Sequence, residues 1–318
     1  MSVIISQSIE QAANILKNGG VVGIPTETVY GLGASIYNEN ALRQIFQLKR
    51  RPSSNPLIVH IANFDQLLSM VELFPEKAKK LTEVFWPGGL TIVLPKQKSI
   101  NSIISAGKET VAVRMPNHQM TKELIQLVGP IAAPSANPYE RISPTTANQV
   151  AEYFPLGLPL VLDGGDCEKG LESTIVGFEN DEAVIYRLGA VTIEDIEKII
   201  GNVRISTTST NIIVAPGMSK KHYAPITKTI VSKEIKSIID EFKEQKIGVL
   251  HFNELIVSEN VIAKQLSQKQ CLEEAASNLY QYLQYLDGLK LDFILIEPLP
   301  DKGLGKTIND RLNRAAHL

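Results

Sequence analysis

Short apolar runs alternate with amphipathic stretches through the first 200 residues. Val21-Val22-Gly23-Ile24 is a compact apolar run stopped by Pro25, which predicts a buried strand. Before it, Ser8-Ile9-Glu10 opens a helix whose apolar face is Ala12, Ala13, Ile15 and Leu16, and Gly19-Gly20 ends it. Ala41, Leu42, Ile45, Phe46 and Leu48 repeat at helical spacing. Further strands are predicted over residues 57–61, 90–94, 111–113, 131–133, 160–162, 174–176 and 184–186. So many strands with helices between them predict an α/β domain on a mixed, twisted sheet.

The pattern breaks at Ser206-Thr207-Thr208-Ser209-Thr210-Asn211, a run with linker composition, followed by APGMSKKHYAP. Beyond it, strands are predicted at Thr229 to Val231 and Ile247 to Leu250, separated by a charged helix over Lys233 to Gln245. A long helix over Cys271 to Leu286 leads to a strand, Phe293 to Ile296, and a last helix spans about Ile308 to Ala316. This alternation predicts a small Rossmann-like unit. The division is then a first domain over 1–203, a linker over 204–226 and a second domain over 227–318.

Composition narrows the function classes. The 318 residues fit two ordinary domains, and 44% hydrophobic with 21% charged residues is a globular balance. The net charge of −2 excludes the bulk positive charge of a dedicated nucleic-acid binder. Cys167 and Cys271 offer neither a disulfide framework nor a cysteine zinc site, and the five histidines never pair at metal-ligand spacing. No apolar run approaches the ~20 residues of a membrane helix. MSVIISQSIEQ lacks the basic start of a signal peptide, so a cytoplasmic location is expected.

Two glycine motifs suggest phosphate binding and fail on spacing. Gly305-Lys306-Thr307 follows a strand, but the P-loop needs a glycine where Pro300 stands; the plainer reading is a helix start with turn freedom at Gly303 and Gly305. Gly31-Leu32-Gly33 has Ile36 where a dinucleotide fingerprint needs its third glycine.

The chemistry concentrates in polar segments at predicted strand ends: 25–31, 49–56 with His60, Thr110 and Arg114 around VAV, 134–137 with 143–146, and Ser173-Thr174 with Arg187. Each has a structural reading of its own. Lys49-Arg50-Arg51 suits an exposed helix C-terminus, Ser143-Pro144 suits an N-cap with proline at the first helical position, and His60 suits a satisfied core histidine. Together they suit an anionic ligand, with Lys49, Arg51 and Arg114 as cations and hydroxyls and amides for ribose and phosphate oxygens. With no nucleophilic cysteine and no GxSxG elbow, positioning and electrostatics are favoured over covalent catalysis.

PTETVYGLGA, KRRPSSNPLIVHI, FWPGGLTIVL, VAVRMPNH, APSANPYERISPTTA and LESTIV resemble the successive motifs of YrdC-like domains. With APGMSKKHYAP and a terminal GLGKTINDRLNRAA, the chain resembles the long, two-domain threonylcarbamoyl-AMP synthase family. The resemblance spans nearly the whole chain. It implies an α/β fold with a YrdC-like twisted mixed sheet, a linker and a small Rossmann-like domain. It also implies an enzyme, a nucleotidyltransferase, making threonylcarbamoyl-adenylate and pyrophosphate from L-threonine, bicarbonate or CO2, and ATP. The product would pass to threonylcarbamoyl-transferase machinery that modifies the adenosine beside the tRNA anticodon.

The same resemblance implies roles for individual residues. Lys49, Arg51 and Asn55 would hold the nucleotide phosphates. Thr28, His60, Arg114 and Ser173 would line the threonine pocket, and Lys49, Arg51, His60 and Arg114 form the catalytic set. Thr110, Ser135, Asn137, Ser143 and Arg187 would contact ATP or the adenylate, and Tyr223 would cover it from the linker. Mg2+ is expected with ATP; its protein ligands are not identifiable, Glu27 being the one guess. Pro138-Tyr139-Glu140-Arg141-Ile142 departs from the short Ser/Gly-rich stretch of many members and leaves the shape of that loop open. The competing readings are a double-stranded-RNA-binding translation factor, disfavoured by the near-neutral charge, and a carbamoyltransferase, whose cysteine zinc motifs are missing here.

Overall fold

The computed structural model describes residues 2–206, 223–253, 256 and 258–316. The first part opens with β1 (Ile4–Ser6), α1 (Ile9–Lys17), β2 (Val22–Ile24), β3 (Gly31–Ser35), α2 (Glu39–Lys49) and β4 (Ile58–His60). It continues through α3 (Phe64–Leu68), α4 (Glu76–Phe85), β5 (Leu90–Pro95), α5 (Ser102–Ser105) and β6 (Thr110–Arg114). Then come α6 (Gln119–Val128), β7 (Ile131–Ala132), α7 (Ala147–Tyr153), β8 (Leu160–Leu162), β9 (Thr174–Glu179) and β10 (Glu182–Arg187). Helix α8 (Ile193–Ile200) and strand β11 (Arg204–Ile205) finish it. The second part holds β12 (Thr229–Val231), α9 (Ile235–Glu241), β13 (Ile247–His251), β14 (Val261–Gln265), α10 (Leu272–Asp287), β15 (Phe293–Ile296) and α11 (Leu304–Ala316).

Strands β1 to β11 form one mixed sheet in the order β1-β8-β2-β3-β7-β4-β6-β5-β9-β10-β11. The second sheet, β12-β15-β13-β14, is parallel throughout, as a small Rossmann-like unit requires. The fold class expected from the sequence is therefore the one observed. Among the described residues no helix is long and apolar enough to cross a membrane.

Several local expectations need correction. Strand β3 was not anticipated because GLGAS lacks the β-branched and aromatic residues that mark strands. Its smallness is a packing requirement: a Cβ on Gly33 would meet Ile131 Cγ2 at 3.0 Å, and one on Gly31 would meet Ala133 Cβ at 3.2 Å. Strands β11 and β14 were also unforeseen, and α9 is shorter than Lys233 to Gln245. Ser143 is not the cap of α7; Thr146 is, in a capping box with Gln149. Helix α11 begins at Leu304, so Lys306 and Thr307 lie in its first turns. There Lys306 Nζ meets Glu194 Oε1 at 2.7 Å and Thr307 Oγ1 donates to the Gly189 carbonyl, which ties the second domain to the first.

The second core does not stop at the domain edge. Val29, Ile142 and Leu171 of the first domain pack in one cluster with Tyr223, Leu279, Tyr280, Leu283, Ile308 and Leu312. Each such apolar side chain buried contributes about 1.5–3 kcal/mol. The atypical Pro138–Ile142 stretch is part of this contact. Ile142 is fully buried, the Glu140 carbonyl accepts from Ala224 N, and Arg141 pairs with Asp287 Oδ2 at 2.9 Å. Asp287 also accepts from the backbone N–H groups of Ile226 and Thr227. The loop left open by the sequence is a dock for the C-terminal domain. The linker residues 207–222, with Pro216, Met218 and His222, lie outside the described residues.

Candidate active site

Two groups of polar residues face one cavity. The first is built from the turn between β2 and β3 and from the ends of β4 and β6. Thr26 Oγ1 donates to the Val29 carbonyl and accepts from the N–H groups of Thr28 and Val29, a local turn that fixes Thr28. Parallel pairing of β4 with β6 places His60 opposite Arg114. Arg114 Nη1 donates to Thr28 Oγ1 at 2.7 Å, and its Nε donates to the Gly88 carbonyl. Its Nη2 lies 2.7 Å from Glu27 Oε1, with both side chains only 4% exposed. Burial, reinforced by Arg114, pushes the His60 imidazole down to about 3, so it is neutral at physiological pH.

The second group gathers at the start of β9 and the end of β10. Arg187 donates through Nε and Nη2 to the Ser173 carbonyl, and Nη2 also reaches Ser173 Oγ. Gly189 makes this approach feasible, since a Cβ there would lie 2.3 Å from the backbone of Ser173 and Thr174. Glu172 accepts from Ser143 Oγ at 2.6 Å, Tyr280 Oη at 3.0 Å and Arg311 Nε at 2.9 Å. Burial pushes its carboxyl upward, but Arg311, Arg187 and the Ser143 bond together hold it below the usual carboxylate range. Ser143 could serve Glu172 because α7 takes its cap from Thr146.

Lys49 and Arg51 are buried, 1% and 8% exposed, contrary to the exposed helix end expected of them. Arg50 ends α2 in the left-handed conformation, φ 51°, and turns the chain inward there. Lys49 Nζ donates to the carbonyls of Ser135 and Asn137, and Arg51 Nη2 donates to the Pro56 carbonyl. Burial, with Arg51 beside it, pushes the Lys49 ammonium well down. Burial lowers Arg51 to about 10, and it stays charged at neutral pH.

The cavity lining includes Thr28, Arg51, His60, Arg114, Ser135, Ser173, Arg187 and Tyr223 of the residues expected from sequence. Lys49, Asn55, Asn137 and Ser143 stand behind it: Asn55 donates to Tyr139 Oη, and Asn137 Nδ2 ties down the carbonyls of Pro138 and Arg141. Thr110 is not brought to the cavity. It sits at the opposite end of β6 from Arg114 and lines a separate depression with Pro75, Phe178 and Tyr186. Sequence reasoning missed Glu172, Tyr280 and Arg311. Glu172 lay inside the quoted LESTIV motif, one position before Ser173, and Arg311 inside the quoted GLGKTINDRLNRAA; nothing local marks Tyr280.

The protein has relatives over its full length. Residues 14–189 match the family model described as "Telomere recombination" (Sua5, YciO and YrdC), and residues 191–317 match "Threonylcarbamoyl-AMP synthase, C-terminal domain". The threonylcarbamoyl-AMP synthase of Pyrococcus abyssi is 41% identical, covering 97% of this chain and 94% of that protein. The Bacillus subtilis one is 40% identical over 97% of this chain and 92% of its own. The chain belongs to the threonylcarbamoyl-AMP synthase family. The crystal structure of P. abyssi Sua5 complexed with L-threonine superposes with a TM-score of 0.93 at 40% identity, covering 99% of this chain and 98% of that one. As an enzyme of this synthase family, the chain places its cavity in the first matched region and closes one wall with side chains of the second.

Among the described residues no cluster of three or more His, Cys, Asp or Glu is arranged to hold a metal. Glu172 is hydrogen-bonded to Ser143, Tyr280 and Arg311, whereas Glu27 is ion-paired with Arg114 and neither of its buried oxygens accepts a hydrogen bond.

Proposed function

We propose that this cavity condenses L-threonine, CO2 or bicarbonate, and ATP into threonylcarbamoyl-AMP and pyrophosphate, a nucleotidyl transfer that feeds threonylcarbamoylation of tRNA. The observation carrying this reading is the two-part cavity, with the Thr28–His60–Arg114 group facing the Arg51–Arg187–Tyr223 group. Of the five donors of Arg114, two are taken by Gly88 and Thr28, and Nη2 is ion-paired with Glu27, which leaves donors for the α-carboxylate of threonine. The complex of the P. abyssi relative with L-threonine supports threonine as a substrate. Arg51 and Arg187 supply charge for the phosphates, Ser135 flanks the adenylate, Ser143 holds Glu172 from behind, and Lys49, Asn55 and Asn137 hold the loops that carry them.

The amine of threonine adds to CO2 as the free base and loses a proton, giving a carbamate. A carbamate oxygen then attacks the α-phosphorus of ATP in line, and the bond to pyrophosphate breaks. The neutral imidazole of His60 can accept as well as donate a hydrogen bond beside the reacting nitrogen. A carbamate hydrolyses in water, so exclusion of solvent is part of the chemistry; the buried Tyr223 in the cavity lining helps to exclude it. Mg2+ enters with ATP, bound through triphosphate oxygens, and belongs to the substrate.

Incubation of the protein with ATP, L-threonine and labelled bicarbonate should give labelled threonylcarbamoyl-AMP and pyrophosphate only when all three are present. Salt-sensitive tRNA binding without ATP turnover would return the RNA-binding reading.

A further inference from the structure

Tyr223 is held in an unusual way. Its φ of 63° lies in the left-handed region that a bulky residue rarely adopts, and its side chain is 1% exposed. The ring stacks on Tyr280 with centroids 5.8 Å apart and planes 20° apart, and the Arg311 guanidinium lies 4.7 Å from its centroid. Arg311 itself is 1% exposed on α11. Its Nε donates to Glu172 and its Nη2 to the Leu188 carbonyl, the residue after Arg187. One side chain of the C-terminal domain thus touches three pieces of the cavity wall: the Tyr223 ring, the Glu172 carboxylate and the backbone beside Arg187.

We infer that Arg311 is a positioning residue through which the C-terminal domain sets the nucleotide end of the cavity. This rests on the adenylate-forming reading above. A buried ion pair roughly breaks even against an apolar contact of the same shape, so its use here is orientation more than adhesion. The planar fork fixes Glu172 and the Leu188 carbonyl relative to each other, and its flat face fixes the aromatic ring. The threonine end has no contact with Arg311; its ion pair, Arg114 with Glu27, lies inside the first domain. The inference therefore predicts a split between the two substrates.

The test uses the full chain and steady-state adenylate formation, with ATP and threonine varied in turn. Arg311→Lys keeps a positive charge for Glu172 and loses the fork and the flat face. Tyr280→Leu removes the stacking ring and leaves Arg311 in place. In Arg311→Lys the KM for ATP should rise about tenfold to a hundredfold, the scale of a small misplacement of binding groups. The KM for threonine should stay within about twofold of wild type, because its pocket keeps every partner. Tyr280→Leu should move the ATP KM in the same direction by less. Tyr280→Phe keeps the ring and loses only the hydroxyl bond to Glu172, so it gives the mildest variant should the others fold poorly; its ATP KM should rise less than that of Tyr280→Leu, and an unchanged or equally raised threonine and ATP KM would count against the inference.

A purely structural role for Arg311 would lower the active fraction, hence kcat alone, with both KM values unchanged. That result, or an equal rise in both KM values, overturns the inference. If wild-type protein forms no adenylate, the proposed function has failed instead. Calorimetric ATP affinity of wild type and Arg311→Lys then decides the inference separately, equal affinities overturning it.

Discussion

At the Arg114 end of the cavity every partner comes from the first domain: Glu27, Thr28 and the Gly88 carbonyl, with His60 across the strand pair. At the Arg187 end, Glu172 is satisfied by Tyr280 and Arg311, which arrive from the second domain more than 100 residues later. Both ends bury a carboxylate against a guanidinium, yet one is complete within its own sheet and the other depends on domain contact. A substrate bound at the first end should be indifferent to the domain interface; a substrate at the second should feel it.

The largest expected effect breaks the self-contained end. Glu27→Ala leaves the Arg114 guanidinium buried beside no carboxylate, and removing one partner of a buried pair costs about 3–5 kcal/mol. Urea unfolding measures it, and a loss under about 1 kcal/mol would mean that Arg114 does not depend on Glu27.

Arg114→Lys sharpens the same end with less damage. A lost charged hydrogen bond is worth about 1.5–3 kcal/mol, so the threonine KM should rise roughly tenfold to a hundredfold and the ATP KM should barely move. Equal changes in both would place Arg114 outside the amino-acid pocket.

His60 gives that end a pH signature. Its folded-state value of about 3 lies below the ordinary 6.5, so the neutral form is the one favoured by folding. Its contribution is complete above pH 6.5 and is lost as pH falls toward 3, at a slope of up to about 1.4 kcal/mol per pH unit. His60→Asn should therefore show a shallower acid loss of stability than wild type; parallel curves would refute this.

Smaller effects belong to the rim of the interface. Arg141 is 24% exposed and Asp287 only 8%, but Asp287 keeps its two backbone donors, so Arg141→Ala should cost about 0.5–1 kcal/mol. Asp287→Asn should cost more, because Asp287 also accepts from two backbone N–H groups. The reverse order in thermal unfolding would discount those backbone bonds. Lys306→Ala should change stability by less than about 0.5 kcal/mol, since its pair with Glu194 is solvent-screened. A larger drop would make that contact part of the interface proper.

Much of this was legible in the chain. The strands around 22–24, 58–60, 90–95, 160–162 and 293–296 follow from compact apolar runs, and α1 from its cap and apolar face. Strand β3 was hidden because tight packing against Ile131 and Ala133 selects glycine and alanine over recognisable strand formers. The cap of α7 was misplaced by three residues because Ser143 and Thr146 offer the same side-chain oxygen, and only the pairing of Ser143 with Glu172 separates them.

The sequence by itself determined the fold class, the family and most of the cavity-lining residues, because these reside in local runs: periodicities, polar loops after strands and motifs of a few residues. Tertiary structure alone decided that Lys49 and Arg51 are buried, that Thr110 stands apart, and that Glu172 meets Arg311 across 139 positions. Charge and burial at those positions are set by what the folded chain brings within a few ångströms. A guanidinium on an amphipathic helix reads as solvated until the domain it faces is in place.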